Sequence, residues 1–128
     1  MSERLASSGR IGALELENRF IQSPLHTMLA DARGHVTPEL VAYYRERALG
    51  GAALVISEYA FVDQHASRAN NAQISVADNA CIPSLARLAE AIHHAGALAG
   101  MQLSHAGRQR FLGTAPIVGA SSVPWEAL

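Results

Sequence analysis

The chain has 128 residues, of which 49% are apolar, and its 10 basic and 11 acidic side chains give a formal charge of −1. This length fits one domain or a piece of a larger one, and it excludes two full domains. The near-neutral balance, with no run of Lys or Arg, argues against nucleic acid and against an anionic membrane surface as partners.

The sequence further predicts a cytoplasmic protein. Its single cysteine, Cys81, has no partner for an internal disulfide. The first residues lack the apolar core of a signal peptide, and no stretch approaches the ~20 apolar residues that span a bilayer. A lone cysteine and the lack of a signal-peptide pattern are both compatible with a reducing compartment.

Local patterns then predict a strand, a helix and a second strand. Residues 11–16 alternate weakly and predict a hairpin-like flap, whereas the β-prone residues 19–23 predict a buried strand ahead of Pro24. Thr37 and Pro38 are typical of a helix start, and this helix should end at the glycine pair 50–51. The apolar run 52–57 follows at once and predicts a strand covered on both faces.

The second half repeats this order. Residues 59–77 are polar and irregular, which is compatible with a functional loop and with a disordered surface loop. A second helix is predicted from Ile82 to Ala95, with Gly96 as its stop, and residues 98–103 predict a third buried strand.

Alternation of strands and helices with short helix-to-strand turns predicts a parallel α/β protein. Two architectures fit this order. A closed eightfold β/α barrel needs ~250 residues, so the chain holds about three of its units and cannot close it. A small doubly wound sheet is the competitor, but its glycine-rich turn after the first strand is absent, because SPLHT (residues 23–27) contains no glycine.

Several catalytic classes find little support in the sequence. The six histidines show no HExxH or paired Cys/His spacing, so no metal site is predicted. There is no GxSxG motif for a serine hydrolase. A Schiff-base aldolase requires a lysine, and the chain contains none.

Polar residues that follow the predicted strands are the better candidates, because parallel α/β proteins bind ligands at the carboxyl ends of their strands. Gln102 offers a donor and an acceptor side by side, although spacing alone favours an amide satisfied by neighbouring backbone within the core. His105 and Arg108 suit an anion or a polarised oxygen, or a solvated surface. His26 is able to donate to a developing negative charge, or to serve as a structural histidine.

Three segments carry a family resemblance: ENRFIQSPLHT (residues 17–27), GGAALVISEYAFV (residues 50–62) and GMQLSHAGRQ (residues 100–109). Their order and spacing resemble the amino-terminal third of the FMN-dependent Old Yellow Enzyme family. Within it, His26-Thr27 and the GALAG sequence before the third strand resemble the dienoyl-CoA reductase and trimethylamine dehydrogenase branch. The resemblance covers nearly the whole chain.

The resemblance implies a fold and a cofactor. The fold is α/β, the first three or so β/α units of a TIM (β/α)8 barrel that is not closed in this chain, with residues 1–128 as its FMN-binding portion. Electrons would pass from NAD(P)H through FMN to an electron-poor alkene or a related small molecule. The implied flavin contacts are the Ser23, Pro24 and Leu25 backbone along the ring, Ala60 at its edge and the Gln102 amide at its pyrimidine edge.

The resemblance also places His26 near the flavin carbonyl, where relatives commonly carry Thr or Cys. A cationic or N–H donating imidazole there should favour the reduced, anionic flavin. The chain departs from the family at Leu25, where many relatives have Met, and at Met28, where some have an active-site Tyr. The first change preserves an apolar contact, and the second affects substrate preference.

Length is the larger departure, since the family's substrate pair, its Tyr proton donor and its phosphate grip would lie beyond Leu128. We therefore expect a portion of a longer enzyme, completed by further chain or by assembly into a homo-oligomer. The alternative is a truncated, non-catalytic relative that does not hold flavin stably or acts only as an interaction partner. Three open strands also predict an exposed apolar face.

Overall fold

A computed structural model describes residues 3–123 of the chain. It begins with a single-turn helix, α1 (Glu3–Ala6), which precedes an antiparallel hairpin of β1 (Gly9–Ile11) and β2 (Leu14–Leu16). The hairpin confirms the predicted flap and starts two residues earlier than expected. Leu16 is its buried residue, and it packs beneath the sheet against Ala53 and Leu54.

Four parallel strands form the sheet: β3 (Ile21–Gln22), β4 (Leu54–Phe61), β5 (Ile74–Ser75) and β6 (Leu98–Ser104). The central strand is β4. β6 pairs with it along most of its length, whereas β3 and β5 pair with its beginning and its end on the other side. The parallel pairing confirms the predicted fold class, and among the described residues the sheet is open.

Two helices cover one face of this sheet, and both begin where the sequence predicts them. In α2 (Pro38–Leu49) the Thr37 side chain accepts a hydrogen bond from the Leu40 N–H, and proline occupies the first helical position. The second long helix, α3 (Ile82–His94), follows a short 3-10 turn and ends before Gly96. The crossovers β3–α2–β4 and β4–α3–β6 are thus two consecutive β/α units.

The main core lies between these helices and the sheet, because the helices turn their apolar faces inward. On the opposite face of the sheet a smaller cluster is closed from below by the hairpin. The fully or nearly fully buried members of the main core include Leu40, Tyr44, Val55, Ala60, Leu88 and Ile92.

The first strand differs from its prediction. β3 has only two residues instead of five, and Ile21 is 42% exposed although the run was predicted to be buried. The reason is its position at the edge of the sheet, since β3 pairs only with β4 among the described residues. The sequence pattern predicts which residues of a strand are suited to burial. Whether they are buried depends on neighbouring elements from elsewhere in the fold.

The second strand starts two residues later than predicted and ends four residues later, because β4 continues past Ser57 through Glu58 and Tyr59 to Phe61. These polar residues belong to a buried strand, which apolar patterning cannot detect. The segment that follows is not a plain surface loop either: Ser67, Arg68 and Gln73 are buried, and the segment contributes the short strand β5.

Candidate functional site

A fully buried carboxylate lies near the carboxyl end of the central strand. Glu58 has no exposed surface, and its Oε2 accepts hydrogen bonds from the backbone N–H of Thr27 at 2.9 Å and from the Thr27 hydroxyl at 2.6 Å. Oε1 lies 3.1 Å from the Nδ1 of His26. A buried charge is tolerated only where it is paired or hydrogen-bonded, and these contacts meet that condition.

Tyr44 of α2 completes the surroundings of this carboxylate from the helix side. Its hydroxyl accepts the backbone N–H of Glu58 at 2.6 Å and lies 3.4 Å from Oε2 of the same residue. Burial raises the pKa of the Tyr44 phenol, and the charge of Glu58 raises it further, against the opposing effect of the hydrogen bond from the Glu58 N–H. Tyr44 therefore stays protonated at neutral pH.

A β-bulge explains how a strand can place Glu58 in this position. Ser57 pairs with Met101 of β6 and Ala60 with Leu103, so that three steps on β4 match two on β6. The extra residue interrupts the regular alternation of side chains between the two faces of the sheet. Bulges of this kind re-aim side chains and occur frequently beside functional sites.

His26 connects this carboxylate to the segment after β4. Its Nε2 lies 3.0 Å from the Nδ2 of Asn70, and the same Nδ2 donates to the hydroxyl of Tyr59 at 2.7 Å. The imidazole also meets the Tyr59 ring edge-on, with 4.7 Å between ring centroids. Both ring nitrogens of His26 thus have partners within the protein. Burial raises the pKa of Tyr59, while the hydrogen bond from Asn70 opposes that rise.

The predicted site residues fall into two groups. Ser23 and Leu25 are exposed just after β3, with Leu25 at 58%, and Pro24 between them is half-buried. The side chain of His26 is 20% exposed. The structure therefore leaves the Ser23–Leu25 segment accessible while it ties the next residue to Glu58.

Gln102 and Ala60 occupy opposite environments. Gln102 is exposed rather than nearly buried as its apolar neighbours suggested, because no described strand covers β6 on its outer side. Its neighbours Ala99 and Met101 pack on the helix side, so alternation places Gln102 on the other face, opposite the bulge of β4. Ala60 is completely buried in the main core, and its side chain offers no surface to a ligand.

The residues after β6 have local roles. The Nδ1 of His105 accepts the N–H of Gly107 at 3.0 Å, and an Nη1 of Arg108 donates to the carbonyl of Val123 at 3.3 Å. Both residues are exposed. A cleft of about 450 Å³ opens between this loop and the end of β4, and its lining includes Tyr59, Ser104, His105, Gln109 and Phe111.

Sequence reasoning missed Glu58, Thr27, Tyr44 and Asn70, which together hold His26. One signal was present, because a glutamate within the otherwise apolar run of β4 requires partners wherever that strand is buried. The partners themselves come from three other segments, and only the fold brings them together.

The Tyr44 hydroxyl offers a direct test of this cluster. We expect Tyr44→Phe to lower the free energy of unfolding by about 1.5 kcal/mol, because a buried N–H loses its acceptor. The neighbouring substitution Tyr43→Phe is the control, with an expected change within about 0.5 kcal/mol. Urea unfolding of both variants measures the difference, and equal effects would contradict the assigned hydrogen bonds.

The described residues also set two limits. Between residues 3 and 123 no group of three or more His, Cys, Asp or Glu side chains is arranged to hold a metal ion. Over the same range, no helix combines the length and apolar character needed to cross a membrane.

Both helices lie on one face of the open parallel sheet, whereas a doubly wound fold carries helices on both faces. The consecutive β/α units therefore correspond to the amino-terminal part of a β/α barrel. The chain belongs to the NADH:flavin oxidoreductase / NADH oxidase family, whose model matches residues 10–123. Old Yellow Enzyme homologues are among the similar solved structures, which confirms the predicted family and the unclosed barrel.

Individual relatives agree with this assignment. An NADH oxidase of Thermoanaerobacter brockii is 41% identical over 105 residues, which are 82% of this chain and 16% of that protein. An NADPH dehydrogenase of Listeria monocytogenes serotype 4a is 32% identical over 124 residues, which are 96% of this chain and 36% of the relative. The chain thus spans about a sixth to a third of the length of these proteins.

Two solved structures extend the likeness to three dimensions. A 2-naphthoyl-CoA reductase in complex with 2-naphthoyl-CoA has a TM-score of 0.81 at 29% identity, covering 86% of this chain and 17% of the other. The Old Yellow Enzyme homologue from Zymomonas mobilis has a TM-score of 0.76 at 29% identity, covering 83% of this chain and 29% of the other.

Proposed function

We propose that this protein forms the amino-terminal part of the FMN site of an NAD(P)H-dependent flavin oxidoreductase, which passes a hydride to a small-molecule acceptor. Membership of the family over residues 10–123 is the observation that carries this proposal. The names of the relatives, an NADH oxidase and an NADPH dehydrogenase, support the nicotinamide as electron donor. Cytoplasmic localisation is part of the proposal.

The accessible residues fit a flavin. Leu25 is a large apolar side chain, exposed directly after a barrel strand, and it suits contact with a planar ring. Gln102 is an exposed amide on the sheet face away from the helices, and it suits a heterocycle with adjacent C=O and N–H groups. When bound, FMN would supply the hydride transfer between nicotinamide and acceptor. Ser23 and Pro24 would contribute backbone contacts, as would Ala60, whose side chain is buried.

The acceptor class belongs to the same proposal. His26-Thr27 and the GALAG sequence of residues 96–100 support placement in the dienoyl-CoA reductase and trimethylamine dehydrogenase branch. The likeness to a reductase that binds 2-naphthoyl-CoA is compatible with an electron-poor, conjugated acceptor. Such an acceptor takes a hydride at the carbon of an activated double bond.

Flavin binding by the chain tests this function. We expect the purified protein to bind added FMN, measured by titration of flavin fluorescence, and Gln102→Ala to weaken this binding about tenfold through loss of the amide hydrogen bonds. Gln64→Ala, at an exposed glutamine in the turn after β4, is the control and should bind as the parent does. A parent chain that binds no added FMN would favour the non-catalytic alternative.

The role of His26 is tested separately through the midpoint potential of bound FMN. In His26→Ala, Oε1 of Glu58 loses its imidazole partner, so more negative charge faces the flavin site. We expect the midpoint potential to fall, by roughly 30 mV for each tenfold loss of preference for the reduced form. Spectroelectrochemical titration measures the midpoint potential of FMN in this variant. His94→Ala, at the exposed end of α3, is the control. An unchanged potential would remove His26 from the flavin environment.

A further inference from the structure

A backbone N–H group determines which atoms donate and which accept in the hydrogen bonds around His26. Oδ1 of Asn70 accepts the backbone N–H of Ala72 at 3.0 Å. A backbone N–H only donates, so this contact determines which end of the Asn70 amide is oxygen. The NH2 end therefore faces Nε2 of His26 at 3.0 Å and Tyr59 at 2.7 Å, and each contact uses one of its two hydrogens.

This direction determines the state of the imidazole. Nε2 faces a donor and must accept, so in the neutral ring the proton lies on Nδ1. That proton points to Oε1 of Glu58 at 3.1 Å, which must accept it. The other oxygen, Oε2, already accepts the N–H and the hydroxyl of Thr27. Both ends of the ring are thus specified by groups on two different segments.

We propose that Glu58 and Asn70 are positioning residues that hold His26 as the Nδ1–H tautomer, with no N–H directed at a bound ligand. This inference deepens the proposed function and rests on it for its consequence at the flavin. It replaces the donating imidazole of the sequence analysis with a fixed ring that compensates the Glu58 carboxylate. The segment leading from β3 into the site is thereby anchored to β4 and to the segment after it.

The arrangement also orients Tyr59. Its hydroxyl oxygen accepts one hydrogen of the Asn70 amide, so its own O–H is directed away from Asn70. The tautomer of His26 and the orientation of the Asn70 amide are coupled, because a proton on Nε2 would face the amide N–H. Turning the amide to relieve that conflict would place its NH2 group against the Ala72 N–H.

The test uses the 128-residue chain with 15N-labelled histidine and two-bond nitrogen–hydrogen correlation spectra, recorded at increasing pH until the histidine signals no longer change. Substitution of His26 assigns its signals. The parent chain should favour Nδ1–H by about tenfold or more, because two hydrogen bonds select it. Predominance of Nε2–H, or comparable amounts of both tautomers, overturns the proposal.

The variant Glu58→Gln tests directly whether Glu58 selects the tautomer of His26. The Thr27 N–H still requires an oxygen, so the new NH2 group faces Nδ1 of His26. The Asn70 NH2 still faces Nε2, so either tautomer now meets a donor and the preference for Nδ1–H should fall about tenfold or more. Glu90→Gln, on the exposed surface of α3, removes the same charge and should leave the tautomer unchanged. A preference for Nδ1–H in Glu58→Gln as strong as in the parent chain would overturn the assignment of Glu58.

The double variant E58Q/N70D keeps the test valid if Glu58→Gln unfolds. A carboxylate at position 70 accepts from Nε2 and from the Ala72 N–H, so the network is complementary again with its direction reversed. We expect a folded chain with the Nε2–H tautomer, and an Nδ1–H ring would count against the proposal. Titration with added FMN is run in parallel. A chain with the Nδ1–H ring that binds no added FMN counts against the proposed function alone, whereas FMN binding with an Nε2–H ring refutes the tautomer alone.

Discussion

Gly34→Ala should destabilise the protein by about 3 kcal/mol. Gly34 has a φ of +87°, and an added Cβ would lie 2.6 Å from the Cβ of Ser75 and 2.9 Å from its backbone nitrogen. Positive φ costs a non-glycine residue about 1 kcal/mol or more. The overlap adds roughly 1–3 kcal/mol, because the contacts are with the backbone and Cβ of β5, which do not move aside easily.

The chain offers a control that separates these two costs. Gly51 has a φ of +93°, and nothing lies within 4 Å of a Cβ added there. Gly51→Ala therefore carries the backbone strain alone and should cost about 1 kcal/mol. Urea unfolding of both variants gives the difference. Equal losses would mean that the loop before α2 does not pack against β5 as closely as described.

The steric overlap in Gly34→Ala should also affect the site around His26, because it disturbs a hydrogen bond between two segments of that site. The N–H of Ser75 donates to the carbonyl of Gly34 at 2.9 Å, which joins the segment after β3 to β5. The first segment carries His26 and the second follows Asn70, so their separation would stretch the contact between these two side chains. The same variant should therefore weaken FMN retention, whereas Gly51→Ala should not.

Arg68→Met should cost about 3 kcal/mol of unfolding free energy. Arg68 is almost fully buried, and its guanidinium donates to three backbone carbonyls, those of Ala32, Asn70 and Asn71, at 2.7–3.0 Å. Charge-assisted hydrogen bonds contribute about 1.5–3 kcal/mol each. Relief of the desolvation of a buried cation, and water access to the exposed residues Ala32 and Asn71, offset part of the loss.

Methionine retains the apolar stem of the arginine, so the variant removes mainly the guanidinium, whose carbon lies 5.1 Å from the centre of the Phe61 ring. Arg87→Met, on the exposed side of α3, is the matched control and should change stability by less than about 0.5 kcal/mol. If chemical denaturation gives similar midpoints for the two variants, the guanidinium does not organise the segment after β4. A loss confined to Arg68→Met would place that segment among the cooperatively folded parts of the protein.

The sequence determined the order of the elements and the family. Thr37-Pro38 and the glycine pair 50–51 bound α2 by local chemistry, since a side-chain cap and a proline at the first helical position act within a few residues. Continuous apolar runs likewise predicted β4 and β6 from local sequence alone. The segments around Ser23 and Gln102 carried the resemblance that the family match confirmed.

The tertiary structure decided which side chains meet. The bulge between Ser57 and Ala60 places Glu58 beside Thr27 and Tyr44, and its effect on side-chain direction depends on pairing with β6. The exposure of Gln102 was also decided by the tertiary structure, because no described strand pairs with the outer edge of β6. Local patterns specify how a segment folds, whereas contacts between residues 14 to 48 positions apart exist only once the sheet is assembled.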